Sequence, residues 1–216
     1  MPGPDALAPH RPQNVCRRVV KLGGSLLDWP GLQQSLSAWL AAGPPCQTLL
    51  VVGGGRLVDA IRHADAAHGL GEERSHWLSI QAMKLNAALV HSLTAAPWVR
   101  RLRPWAARPA RPGEWLLDPW SFLRHEEAHW PGQPLPHTWD VTSDSIAARV
   151  SALLQVPLVL LKSAAPPPPY TAAAAAAAGY VDAFFSQAAL QVPTITCVDL
   201  RTGTSTMLTA RGPVGA

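Results

Sequence analysis

A lysine followed by a glycine-rich turn is the part of this sequence whose residue types most directly suggest chemistry. In the stretch Val19–Leu27, an apolar β-branched run leads to Lys21, then to Gly23, Gly24 and Ser25, and an apolar segment compatible with a helix follows. The pattern predicts a buried strand, a tight turn and the start of a helix. The N–H groups of such a turn can converge on an anion, and the helix N-terminus adds partial positive charge. We therefore expect this turn to hold a phosphoryl group, although Lys21 alone would also suit an exposed strand end.

A second glycine turn follows the next predicted strand. Thr48–Val52 is a buried run that ends in Gly53, Gly54 and Gly55, and a helical pattern begins directly afterwards. Strand, turn and helix thus occur twice in succession, which indicates a parallel sheet with right-handed crossovers. Both turns then lie at the carboxyl edge of the sheet, where ligands bind in such folds. The chain has no GxxxxGK[ST] phosphate loop, and Val58 stands where the third glycine of a dinucleotide loop belongs. Two tight turns without a ligand are the alternative.

Two further groups of polar residues lie at predicted element ends. Asp140, Thr142 and Asp144 precede a clear helix start over 146–150, and a buried strand over 156–161 ends at Lys162. Asp144 could cap that helix, because an aspartate accepts hydrogen bonds from the first turn. Phosphoryl transfer requires reactants held in line and charge neutralised on the transferred group. A lysine at each of two strand ends suits that requirement, and exposed surface lysines are the alternative.

The remaining elements are predicted from hydrophobic periodicity and from turn residues. Helices are expected over 31–42 and 74–94, and the alanines of 172–178 predict a short helix that begins after Thr171 and ends at Gly179. The Pro/Trp-rich segment 95–136 predicts little beyond a possible strand at 115–117. A strand over 192–200, a turn at Thr202-Gly203 and a short strand near Met207 complete the chain.

Composition limits the class of protein. The 216 residues suit one α/β domain over 15–216 after a flexible N-terminus over 1–14, with 48% hydrophobic and 15% charged residues. The net charge of +4 and the pI near 9.3 favour anionic small substrates, because no nucleic-acid-binding module is recognisable. No apolar run approaches the roughly 20 residues that span a bilayer. We therefore expect neither a nucleic acid nor a membrane as a partner.

The cysteines indicate the compartment. Cys16, Cys46 and Cys197 are odd in number, far apart and without CxxC spacing. This arrangement argues against a disulfide framework or a zinc site and fits a reducing compartment. The N-terminus also lacks a charged start followed by an apolar core. We expect a cytoplasmic protein.

Taken in order, these motifs resemble the amino acid kinase superfamily, which includes carbamate, acetylglutamate and uridylate kinases. The likeness spans nearly the whole chain. It rests on four motifs that occur in the family's order: Lys21-Leu22-Gly23-Gly24-Ser25, Gly53-Gly54-Gly55, Asp140-x-Thr142-x-Asp144 and Lys162. The resemblance implies a three-layer αβα sandwich around a mainly parallel sheet, ATP as the phosphoryl donor, magnesium (Mg2+) that bridges the donor phosphates, and a homo-oligomer.

A closer resemblance is to the subgroup that phosphorylates an aminomethylfuran-methyl phosphate to the diphosphate in methanofuran biosynthesis. It implies a small phosphorylated molecule as the acceptor. The residues similar to that subgroup's signature are Leu135–Ala148, Asp59, Arg62, His76-Trp77 and Ala82-Met83.

The resemblance also implies a role for each candidate residue. Lys21 and Lys162 flank the transferred group, and Asp144 orients them by ion pairing, so these three are the catalytic residues. ATP and its phosphates bind at Gly23, Gly24, Ser25, Ser163 and Tyr170. The acceptor binds at Gly53, Gly54, Gly55, Arg62, His76, Asp140 and Thr142. Satisfied structural roles are the alternative for His76, and a solvated helix charge is the alternative for Arg62.

One segment departs from the family pattern. Family members carry an Asp-Gly loop that contacts the nucleotide, whereas here Ser163 is followed by two alanines and the prolines Pro166–Pro169 before Tyr170. Prolines lack the backbone N–H groups that such contacts use. We therefore consider three hypotheses: an ATP-dependent kinase for a small phosphate monoester, a kinase for another acceptor such as a nucleoside monophosphate, and a catalytically silent ligand-binding or assembly subunit of the same fold.

Overall fold

A seven-stranded sheet forms the centre of the computed structural model, which describes residues 15–210. The order across the sheet is β3-β4-β2-β1-β5-β6-β7, and every pair is parallel except β6 with β7. The predicted flexible segment 1–14 lies outside the described residues. The strands are β1 (Cys16–Leu22), β2 (Cys46–Val52), β3 (Trp98–Val99), β4 (Gly113–Leu117), β5 (Leu158–Lys162), β6 (Ile195–Asp199) and β7 (Ser205–Leu208).

Eight α-helices and two 3-10 turns connect the strands within residues 15–210. The 3-10 turns are Gly24–Leu26 and Glu127–His129. Among the described residues, no helix is both long and apolar enough to cross a bilayer. The helices are α1 (Leu32–Ala42), α2 (Gly55–His68), α3 (Glu72–Thr94), α4 (Leu102–Ala106), α5 (Pro119–His125), α6 (Ser143–Leu154), α7 (Ala172–Ala177) and α8 (Phe185–Ala188).

Alternation of side chains along the strands places a hydrophobic core on each face of the sheet. Val19 of β1 belongs to the core that contains Ile146 of α6, whereas its neighbour Val20 belongs to the core that contains Leu36 of α1. All four side chains are at most 1% exposed, and burial of each contributes roughly 1.5–3 kcal/mol. Helices therefore cover both faces, and the predicted three-layer α/β class with a mainly parallel sheet is confirmed.

Most predicted elements occur in the structure within a few residues of their expected ends. Strand β1 and helix α7 illustrate this agreement, since the Thr171 hydroxyl accepts a hydrogen bond of 3.1 Å from the N–H of Ala174 and so caps α7. The segment 95–136 is richer than predicted, because it contains β3, α4, β4 and α5. Helix α4 begins where the buried carboxylate of Glu126 accepts the N–H groups of Leu102 and Arg103. This cap lies more than twenty residues away along the chain, so no local pattern reveals it.

The expectation that the chain has no disulfide is wrong. Cys16 and Cys46 are joined by a disulfide, while Cys197 is a buried free thiol. The two bonded residues are 30 positions apart in sequence, but they are direct partners in the parallel register of β1 and β2, with their Cα atoms 4.6 Å apart. The cysteine spacing could not reveal this proximity. The cysteines therefore no longer support the prediction of a reducing compartment.

Candidate functional site

The candidate site lies at the carboxyl edge of the three central strands. Strand β1 is paired in parallel with β2 on one side and with β5 on the other, so their carboxyl ends meet. Lys21 occupies the penultimate position of β1, and Lys162 is the last residue of β5. The glycine turns that begin at Gly23 and Gly53 follow β1 and β2 at the same edge.

Lys21 and Lys162 are both paired with the carboxylate of Asp144, which lies in the first turn of α6. The Lys21 Nζ is 2.9 Å from Asp144 Oδ1, and the Lys162 Nζ is 2.9 Å from Asp144 Oδ2. Lys21 and Asp144 are buried and Lys162 is partly buried, with side-chain exposures of 6%, 7% and 13%, respectively. Lys162 also donates to the carbonyl of Tyr180 and lies over its ring, 4.7 Å from the centroid. We call Lys21, Asp144 and Lys162 the ion triad.

The ion triad carries an excess of positive charge. Burial lowers the pKa of Lys162, repulsion from Lys21 lowers it further, and the Asp144 carboxylate opposes both effects. Burial opposes the charged form of Asp144, yet the two ammonium groups hold its pKa below the usual value. The three charges of the triad itself sum to one positive charge, which an anionic ligand would neutralise, while the carboxylate of Asp182 lies close to Asp144 on the Lys162 side.

The two glycine turns touch each other, and this contact requires glycine. A Cβ on Gly24 would lie 2.2 Å from the backbone nitrogen of Gly55, and a Cβ on Gly53 would lie 2.7 Å from the nitrogen of Gly24. Gly55 also adopts a left-handed φ of +49°, which glycine tolerates best. Close packing is therefore one physical reason for these glycines, beside any role in binding an anion.

Asn86 of α3 is a site residue that the sequence did not reveal. Its side-chain amide donates hydrogen bonds of 2.8 Å and 2.7 Å to the carbonyls of Gly53 and Gly54. These bonds orient the second glycine turn, and the side chain is buried. An asparagine in the middle of a long helix gives no local signal of such a contact.

A cavity of about 190 Å³ opens beside Lys21, on the side of the glycine turns. Its lining combines a cationic and anion-binding end with an apolar wall and includes several residues that the sequence assigned to the acceptor. Arg62 is an exposed side chain whose guanidinium lies over the Trp139 ring, 5.0 Å from the centroid. The cationic end contains Lys21, the apolar wall contains Met83, and the lining residues assigned to the acceptor include Gly55, Arg62, His76 and Thr142.

His76 lies in the wall of this cavity as a buried, neutral imidazole. Burial and the neighbouring His137 lower the pKa of His76 to about 4, against the opposing effect of Glu73. The two imidazole rings are stacked with centroids 4.7 Å apart, and His137 in turn contacts Glu73 at 2.9 Å. The Nε2 of His76 has no hydrogen-bond partner within the described residues.

A second cavity, of about 360 Å³ and strongly polar, opens on the Lys162 side of the ion triad. Asp140 lies at its exposed rim, and Thr142 lines both cavities. The two cavities share Arg62, Trp139 and Thr142 in their lining, with Lys21 in the first cavity and Asp144 and Lys162 in the second. Lining residues of the second cavity include Asp140, Thr142, Asp144, Lys162, Tyr180 and Asp182.

The residues predicted for ATP binding are only partly brought together. The hydroxyl groups of Ser25 and Ser163 are 2.9 Å apart, so the turns after β1 and β5 meet. Tyr170 is 48% exposed, and within residues 15–210 it lines neither of the two cavities beside the ion triad. Its backbone carbonyl instead accepts the N–H of Thr209 at 3.0 Å.

Asp182 is the second site residue that sequence reasoning missed. Its carboxylate accepts hydrogen bonds from the N–H and hydroxyl groups of Thr142 and Ser145 at the start of α6. The expectation that Asp144 caps this helix is wrong, because Thr142 is the N-cap residue and Asp182 supplies the accepting oxygens. The only signal in the sequence is an aspartate some twenty residues after the strand end at Lys162.

The protein side chains of this site do not form a metal site by themselves, so a metal ion would be held together with the phosphates of a bound nucleotide. Within residues 15–210, no group of three or more histidine, cysteine, aspartate and glutamate side chains is placed to hold a metal ion. Mg2+ is commonly held by one or two carboxylates together with substrate phosphates. The residues present fit Mg2+ that arrives with a nucleotide, and the ammonium groups fit the phosphates themselves. The N–H groups of Gly23 and Gly53 already donate to the carbonyls of Leu161 and Leu22, so the first amide of each glycine turn is not free to bind an anion.

The chain matches no protein-family model and none of the curated proteins. Among solved structures, the fold is similar to that of uridylate kinase from Archaeoglobus fulgidus, with a TM-score of 0.48 and 18% sequence identity. The aligned region covers 69% of this chain and 64% of that chain, so it spans slightly less than two thirds of the kinase. A likeness of this extent does not identify an activity.

Proposed function

We propose that this protein is an ATP-dependent phosphotransferase that acts on a small anionic acceptor. The observation that carries the proposal is the ion triad, in which a buried and a partly buried lysine at the ends of adjacent central strands pair with one buried carboxylate. Its unneutralised positive charge suits a phosphoryl group, whose transfer depends on positioning and on charge stabilisation more than on covalent chemistry. The order of the sequence motifs supports the same class of reaction.

Each side chain of the ion triad has a distinct task in this proposal. Lys21 faces the cavity beside the glycine turns and holds the acceptor side of the transferred group. Lys162 faces the polar cavity and holds the donor side, while Asp144 fixes the two ammonium groups at opposite oxygens of one carboxylate. ATP supplies the γ-phosphoryl group when it is bound.

The acceptor we propose is a small phosphate monoester of the aminomethylfuran-methyl phosphate type. The cavity of about 190 Å³ has room for a five- or six-membered ring with short substituents. Lys21 and the glycine turn at one end suit the phosphate, and Met83 with the neutral His76 suits an uncharged ring. A nucleoside monophosphate is larger and is the competing acceptor.

The test is phosphoryl transfer from Mg-ATP to a panel of acceptors, followed by 31P NMR. The panel contains small ring-bearing phosphate monoesters, nucleoside monophosphates and unphosphorylated alcohols. We expect transfer to a small monoester, and Asp144→Asn should reduce it by at least about 10²-fold. The matched control is Asp118→Asn, since Asp118 is also a buried aspartate paired with a lysine, Lys84, at 3.0 Å. No transfer to any phosphate monoester, or equal loss in both variants, would contradict the proposal.

A catalytically silent subunit is the second candidate, and one observation favours it. The segment after Lys162 contains Pro166–Pro169, which offer no N–H donors to a nucleotide, and the Lys162 ammonium already donates to the Tyr180 carbonyl. Calorimetric titration with Mg-ATP separates the candidates. Saturable binding supports the enzyme, whereas a phosphate monoester that binds while Mg-ATP does not, with or without that monoester, supports the silent subunit.

A further inference from the structure

Asp182 accepts four hydrogen bonds from the two residues, Thr142 and Ser145, that flank the start of α6 around Asp144. Its Oδ2 accepts the Thr142 N–H at 3.0 Å, the Thr142 hydroxyl at 2.8 Å and the Ser145 N–H at 2.9 Å, while its Oδ1 accepts the Ser145 hydroxyl. Asp144 lies between these two donors in sequence. The carboxylate of Asp182 therefore fixes the backbone on both sides of the residue that pairs with the lysines.

The same short segment also reaches the other end of the ion triad. Two residues before Asp182, Tyr180 accepts a hydrogen bond from Lys162 with its backbone carbonyl and presents its ring to the ammonium. The segment Tyr180–Asp182 thus holds Lys162 with one residue and the start of α6 with another. Thr142 offers no cap of its own, because its hydroxyl donates to Asp182.

The position of Asp182 close to Asp144 costs free energy, because two carboxylates repel each other and are partly removed from water. Burial and the nearby charge of Asp144 raise the pKa of Asp182, so two carboxylates are kept close together in one polar pocket. The partial positive charge at the helix N-terminus and the four donors offset this cost. An apolar residue with a local serine cap would close the same helix end without a second buried acid.

We propose that Asp182 is a positioning residue of the ion triad, which holds the first turn of α6 so that Asp144 stands between Lys21 and Lys162. This inference rests on the proposed phosphoryl-transfer function for its role in catalysis. Asp182 acts through Asp144, whose flanking residues Thr142 and Ser145 it holds. Displacement of a catalytic group by about 1 Å lowers rates by about 10²-fold, so the placement of Asp144 determines the rate.

The lysines give a direct readout that needs no substrate. The chain contains only three, Lys21, Lys84 and Lys162, so a protein labelled with 13C at the lysine ε-carbon gives three assignable NMR signals. Asp182→Ala removes every acceptor and should lower the midpoint of the Lys162 titration, because the opposing charge of Asp144 moves away. Asp182→Asn keeps an oxygen for the two N–H groups and an amide for the Ser145 hydroxyl, and should titrate close to wild type.

Activity provides the second readout. We expect the phosphoryl-transfer kcat of Asp182→Ala to fall by about 10²-fold with a smaller change in KM, and Asp182→Asn to recover most of it. The matched control is Asp118→Ala, because Asp118 also accepts hydrogen bonds at the start of a helix, from the N–H of Ser121 at 3.0 Å in α5, and is more deeply buried than Asp182. It should lose stability without a change in the Lys162 titration or in kcat.

The outcomes separate the two proposals. A folded Asp182→Ala protein with a wild-type Lys162 titration would overturn the positioning role, even if transfer is lost. Should Asp182→Ala not fold, Asp182→Ser removes the carboxylate but keeps a small polar side chain, and an unchanged Lys162 titration in that variant would overturn the role equally. Absence of transfer in the wild-type protein would overturn the proposed function, while the titration would still decide whether Asp182 positions Asp144.

Discussion

At the scale of single residues, the use of lysine at the site differs from its use in the rest of the chain. Two of the three lysines lie largely shielded from water in the ion triad, and the third, Lys84, pairs with Asp118 with its own side chain 46% exposed. Lysine offers a compact charge with freely oriented donors, whereas arginine presents a planar fork. The ion triad suits the compact charge, since two ammonium groups share one carboxylate.

Replacement of Lys21 tests the acceptor side of the ion triad. Lys21→Met keeps the length of the side chain and leaves Asp144 paired with Lys162 at 2.9 Å, so the fold should persist while phosphoryl transfer falls by at least about 10²-fold. Lys84→Met is the control and should keep wild-type transfer. Steady-state kinetics and thermal unfolding of both variants provide the measurement. Near-normal transfer in Lys21→Met would remove this residue from the site.

The buried His76 predicts a pH dependence of stability. The pKa of His76 in the folded protein is about 4, below the ordinary value of 6.5. Between these two pH values the His76 imidazole is therefore protonated in the unfolded chain and neutral in the folded chain. The free energy of unfolding should be insensitive to this group above pH 6.5 and should fall by on the order of 2 kcal/mol between pH 6.5 and 4.

The variant His76→Phe keeps a ring against His137 and removes the titrating nitrogen. Urea unfolding at pH 7 and pH 4.5 should therefore show a larger acid loss in the wild-type protein than in this variant. The comparison cancels other acid-sensitive groups, including Asp144, whose pKa is also lowered. Equal losses in both proteins would show that His76 does not remain neutral in the folded state.

At the scale of elements, the contact between the two glycine turns determines how β1 and β2 end. Gly24→Ala would place a Cβ 2.2 Å from the nitrogen of Gly55, which forces the turns apart. We expect a loss of about 1–3 kcal/mol in the free energy of unfolding and weaker binding of phosphate monoesters. Urea unfolding measures the first effect and calorimetry the second.

The matched control for this change is Gly43→Ala. Gly43 has a φ of −88°, which alanine adopts, and its nearest contact would be the flexible Arg18 side chain at 3.4 Å. The free energy of unfolding should stay within about 0.5 kcal/mol of wild type. A Gly24→Ala protein as stable as Gly43→Ala would show that the turns are not in contact in solution.

The elements differ in how far the sequence determines them. Strands β1 and β2 and helix α7 have strong local signals, namely β-branched runs ended by glycines and an alanine run with a threonine cap, and they form as predicted. Helix α4 depends on the distant carboxylate of Glu126, and the disulfide depends on the register of β1 and β2. Neither is encoded by neighbouring residues, so sequence patterns could not reveal them.

The site shows the same division. Lys21 and Lys162 lie at the ends of strands and Asp144 lies in the first turn of a helix, all elements with clear local signals, and the topology then brings the three together. Asn86 and Asp182 contact backbone groups of other elements, and any polar residue type in a helix or loop can make such contacts. Their roles depend on tertiary structure alone.

At the scale of the whole molecule, the disulfide links the amino ends of the two central strands, opposite the site. It closes a loop with a sequence separation of 30 residues, for which chain entropy predicts a contribution of about 3–4 kcal/mol. Reduction with dithiothreitol should lower the free energy of unfolding by this amount, as measured in urea.

The control is the double variant Cys16→Ser/Cys46→Ser, whose stability should not respond to the reductant. Thiol titration of the unreduced, denatured wild-type protein should detect one free thiol, from Cys197. Three reactive thiols, or a stability that reduction leaves unchanged, would contradict the disulfide.

The most direct test of the central claim observes the three lysines while Mg-ATP is added. In protein labelled with 13C at the lysine ε-carbon, the signals of Lys162 and Lys21 should shift together and saturably, because both ammonium groups face the phosphates. The Lys84 signal should stay in place, since that side chain lies outside the site and pairs with Asp118. Lys21 and Lys162 signals that remain unmoved up to millimolar Mg-ATP would contradict a phosphoryl-transfer site at the ion triad.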